Sequence, residues 1–142
     1  METRDLYRYA DKKNIEILDY PMPYCGSMSV MDDDGTCYIG IDESLMDTDA
    51  VEKVHLAHEL GHCMTGSFYS RHTAVDSRQR HEIRADKWAI RKLIPVDKLD
   101  SAVAEGCTEL WELAERFGVT EQFMKKAICL YVHGNTAVEL YF

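Results

Sequence analysis

The segment HLAHELGHCMTG, residues 55–66, places three histidines and a glutamate within eight positions. Residues four apart on an α-helix lie one above the other on one face, so the imidazoles of His58 and His62 can reach one metal ion. Glu59 is rotated about a quarter turn from them, close enough to reach a water on that ion but poorly placed to bind it. This HExxH arrangement is typical of zinc proteases, and it requires a neighbouring element that supplies a further ligand.

An ordinary polar helix with solvated histidines is the alternative interpretation of this segment. It fits poorly, because the stripe that carries both histidines also carries valines and small residues: Val51, Val54, Gly61 and Thr65. Such a stripe should face the core, where an imidazole needs a hydrogen-bonding partner. Gly61 inside a helix costs about 1 kcal/mol relative to alanine, which indicates that something approaches closely there.

The segment HEIRAD, residues 81–86, offers the missing ligand on the next predicted helix. Glu82 and Asp86 lie four apart on one face, and Ala89 and Leu93 continue that face as a core stripe. Two carboxylates there are costly unless something pairs with them. Zinc would take Glu82 as its third protein ligand, and Asp86 would accept the remaining N–H of a ligand histidine. The alternative is that both carboxylates pair at the surface with Arg80, Arg84 or Lys87.

Four further polar side chains near this pattern carry weaker signals. Tyr69 and His72 fall in the connection between the two ligand helices, where a donor that stabilises developing negative charge could sit. His55 lies one turn before the first ligand histidine, and we expect it at the surface rather than at the rim of a site. His81 precedes the expected third ligand but points off the ligand face. For His55, His72 and His81 an ordinary structural role is favoured over a functional one.

The apolar pattern along the chain predicts an α+β protein. Helical periodicity is seen at residues 3–13, 48–64, 80–94, 96–104, 108–117 and 120–132, and strand-like patterns are seen at 15–20, 27–31 and 36–41. The turn DDDG joins the second and third strands into a β-hairpin. Because helices follow a run of strands instead of alternating with them, we expect a small three-stranded antiparallel sheet packed on a mostly helical body.

One domain is the simplest organisation for 142 residues. Its expected parts are a helix with the small sheet, the metal-binding helix pair and the C-terminal helices, at residues 1–46, 47–95 and 96–142. Asp49 with Glu52 is a plausible capping signal at the start of the HExxH helix. Gly66 would end that helix, and Pro95 would end the next one.

The net charge of −9 argues against a nucleic-acid backbone as the main partner, because phosphate contacts need clustered Lys and Arg. The cysteines form no CxxC pair, so neither a zinc ribbon nor a redox dithiol is expected from Cys25, Cys37, Cys63, Cys107 and Cys129. The N-terminal METRDLYRYADKKN lacks the apolar segment of a signal peptide, and no apolar run is long enough to span a bilayer. We therefore expect a protein of the reducing cytoplasm without a membrane partner.

Two segments, HLAHELGHCMTGSFYSR and HEIRADKWAIRKLIP, together resemble the ImmA/IrrE family of bacterial metallopeptidases, especially its short phage and mobile-element anti-repressor members. The second helix of that family has the form E-x-x-A-[ND]-x-[FW]-A-x-x-L-L-x-P, which this chain matches at Glu82, Ala85, Asp86, Trp88, Ala89, Leu93 and Pro95. The chain departs from it at Lys92, which lies off the ligand face. Similar segments before and after this pair, SMSVMDDDGTCYIGID and ELWELAERFGVTEQFMKKAI, extend the resemblance over nearly the whole chain.

The resemblance implies a minimal zincin-like fold with His58, His62 and Glu82 on zinc and Glu59 as the catalytic base. It also implies a substrate, namely a helix-turn-helix repressor that keeps a mobile genetic element or prophage silent. Site-specific cleavage of that repressor would relieve repression. The alternative is a non-proteolytic metal-binding regulator that inactivates its partner by binding.

The segment ELAERFGVTEQFMKKAI, residues 112–128, itself resembles a helix-turn-helix, with Ala114, Gly118 and Val119 at the expected places. Residues 108–132 carry four glutamates and three basic residues, whereas contact with phosphate needs an excess of positive charge. We therefore favour a helical corner that packs against the protease core or the repressor over a DNA-binding module.

The segment TCYIGI, residues 36–41, directly precedes the HExxH helix and is expected to form an edge of the sheet. An edge strand offers unpaired backbone groups to an extended peptide, which suits a protease that must hold its substrate straight. We therefore expect the substrate to pair with this strand.

Overall fold

A computed structural model of the protein describes residues 1–69 and 72–142. In these residues a helix is followed by three strands and then by six more helices, which confirms the predicted α+β class. The bounds are α1 Thr3–Lys12, β1 Glu16–Asp19, β2 Ser27–Met31, β3 Cys37–Ile41, α2 Asp49–Thr65, α3 Val75–Leu93, α4 Val96–Ala104, α5 Leu110–Phe117, α6 Glu121–His133 and α7 Val138–Tyr141. The sequence pattern did not predict α7 or the 3₁₀ turn at Glu43–Leu45. None of the helices in the described residues has the length and apolar character to cross a membrane.

The three strands form a mixed sheet in the order β1-β3-β2. β2 pairs with β3 antiparallel, as the predicted hairpin requires, but β1 pairs with β3 parallel. The expectation of an all-antiparallel sheet is therefore wrong at β1. The expectation that TCYIGI forms an edge is also wrong, because β1 covers the side of β3 that β2 leaves open. The edge strand beside the HExxH helix is β2. The segment between β1 and β2 crosses from one edge of the sheet to the other, because β3 lies between these two strands.

The HExxH segment lies in α2, at the centre of the molecule. The side chain of Thr48 accepts a hydrogen bond from the backbone N–H of Val51, so Thr48 is the N-cap and the predicted cap, Asp49, is the first helical residue. Gly66 ends the helix as predicted, with φ of 66° in the left-handed region that glycine adopts at little cost. The inward face of α2 packs between the sheet and α3.

Helix α3 begins at Val75, five residues before the predicted start at residue 80. The added turn has no apolar periodicity, so the sequence pattern gave no signal for it; Asp76 in that turn complements the helix dipole. The predicted polar connection, residues 67–79, is shortened accordingly, and its residues 70 and 71 lie outside the described part of the chain. Helix α3 ends at Leu93, before Pro95, as expected.

Helices α2 and α3 touch through their backbones at Gly61 and Ala85. A Cβ atom added at Gly61 would overlap the carbonyl oxygen of Ala85 and lie 3.0 Å from its carbonyl carbon and Cα. This is the close approach that a glycine inside a helix predicted. Around it, the core draws on each of the three expected parts of the chain, with Leu6, Ile39, Leu60, Ile90 and Met124 all fully buried.

Gly61→Ala is expected to lower the free energy of unfolding by about 1–3 kcal/mol, because the atoms that the new methyl group meets belong to backbone and cannot rotate away. Helix propensity alone would raise the free energy of unfolding by about 1 kcal/mol. A measured decrease would therefore show that the backbone contact outweighs helix propensity. Urea unfolding measures it, with Ser101→Ala on the exposed side of α4 as a control that should change little. A Gly61→Ala protein as stable as the wild type would contradict this helix contact.

The sulfur atoms of Cys37 and Cys63 form a disulfide, with the two Cα atoms 6.0 Å apart. The spacing of the cysteines did not predict this pair, because strand β3 and helix α2 meet only in the folded chain. The bond joins the central strand to the helix that carries the histidines, next to His62. A disulfide persists where thiols are not kept reduced, so the cytoplasmic location stays a prediction.

The segment that resembles a helix-turn-helix forms α5, a turn at Gly118 and α6. Phe123, Met124 and Ala127 on α6 are buried in the core. The inward face of the would-be recognition helix is therefore occupied by packing against the rest of the protein. This arrangement agrees with the favoured interpretation of a helical corner.

Candidate metal centre and active site

His58 and His62 on α2 meet Glu82 on α3 at one point. The Nε2 atoms of the two histidines are 3.2 Å apart, and they lie 2.8 Å and 3.2 Å from the two carboxylate oxygens of Glu82. A tetrahedral zinc ion with bonds of 2.0–2.1 Å would hold its ligand atoms roughly 3.3 Å from one another. The three residues predicted as ligands are thus brought together at a spacing that fits one metal ion.

The other ring nitrogen of each histidine has an acceptor of its own. His58 Nδ1 lies 2.8 Å from a carboxylate oxygen of Asp86, and His62 Nδ1 contacts the backbone carbonyl oxygen of Ser67. Since these oxygens accept, both Nδ1 atoms carry a hydrogen, and each Nε2 atom directs its lone pair at the common point once it has lost its own proton. Asp86 takes the position predicted for it. Ser67 was not predicted, because a backbone carbonyl has no signature in the sequence.

Hydrogen bonds within this cluster shift the pKa values of His58 and Glu82 in opposite directions. Burial lowers the pKa of His58, but hydrogen bonds to Asp86 and Glu82 outweigh it and raise that pKa to about 10. Burial raises the pKa of the Glu82 carboxyl, yet hydrogen bonds from His58, His62 and Tyr69 hold it well below its usual range. A concentration of negative charge and lone pairs at one point favours a cation there, either a proton or a metal ion.

Metal binding at pH 7 is expected to release about one proton, because His58, with a pKa of about 10, holds a proton on its ring until a metal displaces it. The apparent metal affinity should therefore rise about tenfold per pH unit as the pH increases towards that pKa, and fall as the pH decreases. Titration calorimetry in two buffers of different ionisation enthalpy measures the released protons. Asp86→Asn removes one charge that raises the pKa of His58, so the pH range over which the affinity rises tenfold per unit should end at a lower pH. Equal heats in both buffers for the wild type would contradict the prediction.

Glu59 lies beside the three metal-ligand candidates with a buried carboxylate, 6% exposed. One of its oxygens accepts a hydrogen bond from Ser27 Oγ at 2.7 Å, and the other accepts one from Ser29 Oγ at 2.9 Å. Neither serine was predicted as a functional residue. A signal was present in SMSVM, because serines two apart on a strand point to the same face.

His55 is half-buried and lies within 2.7 Å of Ser27 Oγ through its Nδ1 atom. The expectation that His55 is a surface residue is therefore wrong. The sequence pattern places His55 on the turn before His58, but it cannot reveal that β2 runs alongside this turn. The strand brings a hydroxyl group to the ring and shields it from solvent.

Tyr69 and His72 were predicted as possible hydrogen-bond donors to developing negative charge, and only Tyr69 lies at the site. The Tyr69 hydroxyl donates to Glu82 at 2.6 Å, and this hydrogen bond and burial raise the pKa of Tyr69 to about 12. His72 is exposed and is not among the described residues that line the cavity at the site. His81 is half-buried on α3 and its ring stacks on that of Tyr69, with centroids 6.1 Å apart. The donor role of Tyr69 and His72 stays a prediction.

Helix α6 contributes a residue that the sequence did not reveal. Lys126 Nζ donates to the second carboxylate oxygen of Asp86 at 3.1 Å. Burial raises the pKa of the Asp86 carboxyl, but its hydrogen bond with His58 and the charge of Lys126 outweigh it and lower that pKa. The helical corner at the C-terminal end of the chain is thus linked to a metal-ligand candidate through two side chains.

A cavity of about 710 Å³ opens over these groups. It is walled by β2, α2, the segment after α2, α3 and α6, and Met28 and Val30 of the edge strand contribute apolar surface to it. The volume falls within the range of ligand-binding clefts in proteins. The buried carboxylate of Glu59 and the metal-ligand candidates share one cleft with a strand edge.

The free edge of β2 can be assigned from its flanking hydrogen bonds. Asp42 N donates to Gly26 O, and Asp32 N donates to Thr36 O, so the even-numbered residues of β2 bond with β3. The odd-numbered residues, Ser27, Ser29 and Met31, therefore turn their backbone N–H and C=O groups away from β3. These groups are available to an extended peptide.

Comparison with known proteins gives one match. The family model described as "Peptidase_M78: IrrE N-terminal-like domain" matches residues 10–128, which include the sheet, both ligand helices and most of α6. No curated protein and no solved structure matched the chain.

Proposed function

This chain belongs to the IrrE N-terminal-like family, Peptidase_M78, and from that membership we propose that it is a zinc-dependent endopeptidase. Its substrate in this proposal is a helix-turn-helix repressor of a mobile element or prophage, cut at one site. The observation that carries the proposal is the buried carboxylate of Glu59 next to His58, His62 and Glu82 in one cleft.

The donor set supports zinc. Two imidazole nitrogens and one carboxylate oxygen are ligands that zinc accepts in hydrolases, and three protein ligands leave a further position open. His58, His62 and Glu82 would hold the ion, with Asp86 and the Ser67 carbonyl fixing the two rings. A zinc ion held there would supply Lewis acidity for the hydrolysis of an amide.

The chain's own residues would carry the proton transfers. Glu59 would accept a proton from the attacking water and later donate it to the leaving amine, so that one carboxylate serves as base and then as acid. Burial of Glu59 excludes competing solvent from this transfer. The Tyr69 hydroxyl, which here donates its one hydrogen to Glu82, would turn that hydrogen to the oxygen that gains negative charge.

The substrate would pair with β2 rather than with β3. The outward N–H and C=O groups of Ser27, Ser29 and Met31 offer an extended peptide a ladder next to Glu59. The side chains of Met28 and Val30 would contact apolar side chains of the peptide. We therefore propose β2 as the strand that pairs with the substrate, in place of β3, which the sequence pattern suggested.

Met31→Pro is expected to raise the KM for repressor cleavage about 2–10-fold, because proline removes an outward N–H that β3 does not use. Metal content and kcat should stay unchanged. Met31→Ala is the matched control, since it shortens the side chain and keeps the N–H. Equal KM values for the two variants would contradict pairing of the substrate with this edge.

A repressor substrate is suggested by the sequence resemblance to the anti-repressor members of this family, and the charge of the chain favours it. The net charge of −9 favours encounter with a protein whose nucleic-acid face is basic. Incubation with a purified helix-turn-helix repressor from the same mobile element or prophage, followed by mass spectrometry of the products, tests the proposal. We expect two fragments from one cleavage site, and no digestion of denatured casein. An intact repressor after incubation with the zinc-loaded protein would overturn the proposal.

A further inference from the structure

We propose that Ser27, Ser29 and His55 are positioning residues that fix the carboxylate of Glu59 for proton transfer. The proposal deepens the proposed function and rests on it. It names three side chains outside the HExxH motif, two on the edge strand and one on the preceding turn of α2. We call them the hydroxyl clamp.

The clamp satisfies both oxygens of one buried carboxylate. Ser27 Oγ donates to one oxygen at 2.7 Å and Ser29 Oγ donates to the other at 2.9 Å. Both hydroxyls come from the same face of β2, because residues two apart on a strand share a face. A glutamate side chain has three rotatable bonds, and two donors on opposite oxygens leave it little freedom to turn.

His55 donates a hydrogen bond to the Ser27 hydroxyl, which in turn donates to Glu59. The single hydroxyl hydrogen of Ser27 is used on Glu59, so at the 2.7 Å contact Nδ1 of His55 is the donor and Ser27 Oγ the acceptor. The ring fits closely against the chain. A Cβ added at Gly26 would lie 3.2 Å from His55 Cε1, and the φ of +77° at Gly26 favours glycine as well.

The clamp also connects substrate binding to the base. Ser27 and Ser29 turn their backbone groups to the free edge of β2 and their hydroxyls to Glu59. A peptide paired with that edge would therefore contact the residues that hold Glu59. General-base catalysis requires the base within hydrogen-bonding reach of the proton it takes, so loosening the clamp should slow the chemical step more than it weakens binding.

The test compares Ser29→Ala, Ser27→Ala and the double variant with Ser29→Thr, which keeps a hydroxyl group. Each alanine variant should lower kcat for repressor cleavage roughly tenfold, the effect of losing one hydrogen bond to a charged group, with KM and zinc content unchanged. Ser29→Thr should retain most of the wild-type kcat. Ser29 is only half-buried, so its variants remain informative if the buried Ser27 variant fails to fold.

Crystal structures of the zinc-loaded wild type and variants give a readout that does not depend on activity. Glu59 should occupy one rotamer in the wild type and Ser29→Thr, and several rotamers in Ser27→Ala/Ser29→Ala. His55→Ala should lower kcat in the same direction and also leave zinc content unchanged. A double alanine variant with wild-type kcat, or with Glu59 still in one rotamer, would overturn the clamp. If the wild type cleaved no repressor, the proposed function would fail, and the rotamers of Glu59 would still decide whether the clamp exists.

Discussion

Glu59→Gln is expected to lower repressor cleavage by about 10²–10⁴-fold, because glutamine keeps the shape of the side chain but cannot accept the proton of the attacking water. Zinc content and repressor binding should stay at wild-type levels, since Glu59 is not among the three grouped metal-ligand candidates. Mass spectrometry of the products measures cleavage. Fluorescence anisotropy with a labelled repressor measures binding, and the variant should trap an intact complex.

The same variant separates the two modes of action in cells. If cleavage relieves repression, a repressor-controlled reporter should stay silent when Glu59→Gln replaces the wild-type protein. If the variant activated the reporter as well as the wild type does, hydrolysis would be dispensable. A regulator that inactivates its partner by binding would then be the better account.

Glu82→Ala and His62→Ala are expected to weaken zinc binding roughly 10³-fold each, since the binding free energy of the zinc is shared among its three protein ligands. The geometric reason is that all three donor atoms lie within 4.8 Å of one another, so each contributes to one site. Competition with a chelator of known affinity measures the loss, and elemental analysis should find about one zinc per wild-type chain. Glu59→Gln is the control that keeps its metal. Full occupancy and affinity in Glu82→Ala would show that the third ligand is a different residue.

The part of the site that lies on helices could be predicted from the sequence. His58, His62, Glu82 and Asp86 follow the four-residue period that fixes the face of a helix, and the glycine between the histidines predicted a close helix contact. Each of these inferences needs only neighbours along the chain. The structure brings these residues together as the period predicts.

The part of the site that lies between distant segments could not be predicted. Which strand lies at the edge depends on where β1 docks, and that choice is made by packing across the sheet rather than by the alternation within each strand. The same limit applies to Ser27 beside His55 and to Lys126 beside Asp86, pairs separated by 28 and 40 positions. Their hydrogen bonds exist only because the tertiary fold aligns four separate elements, β2 with α2 and α6 with α3.

The backbone contact between Gly61 and Ala85 can also be regarded as a pivot. Glu82 lies three residues from Ala85, so at a rise of 1.5 Å per residue its lever arm is about 4.5 Å. A rocking of α3 by about 10° would displace Glu82 by roughly 0.8 Å but would displace Val75, ten residues away, by roughly 2.6 Å. For any such rotation Glu82 would move less than a third as far as Val75, so the position of this contact limits the displacement of the metal-ligand candidate.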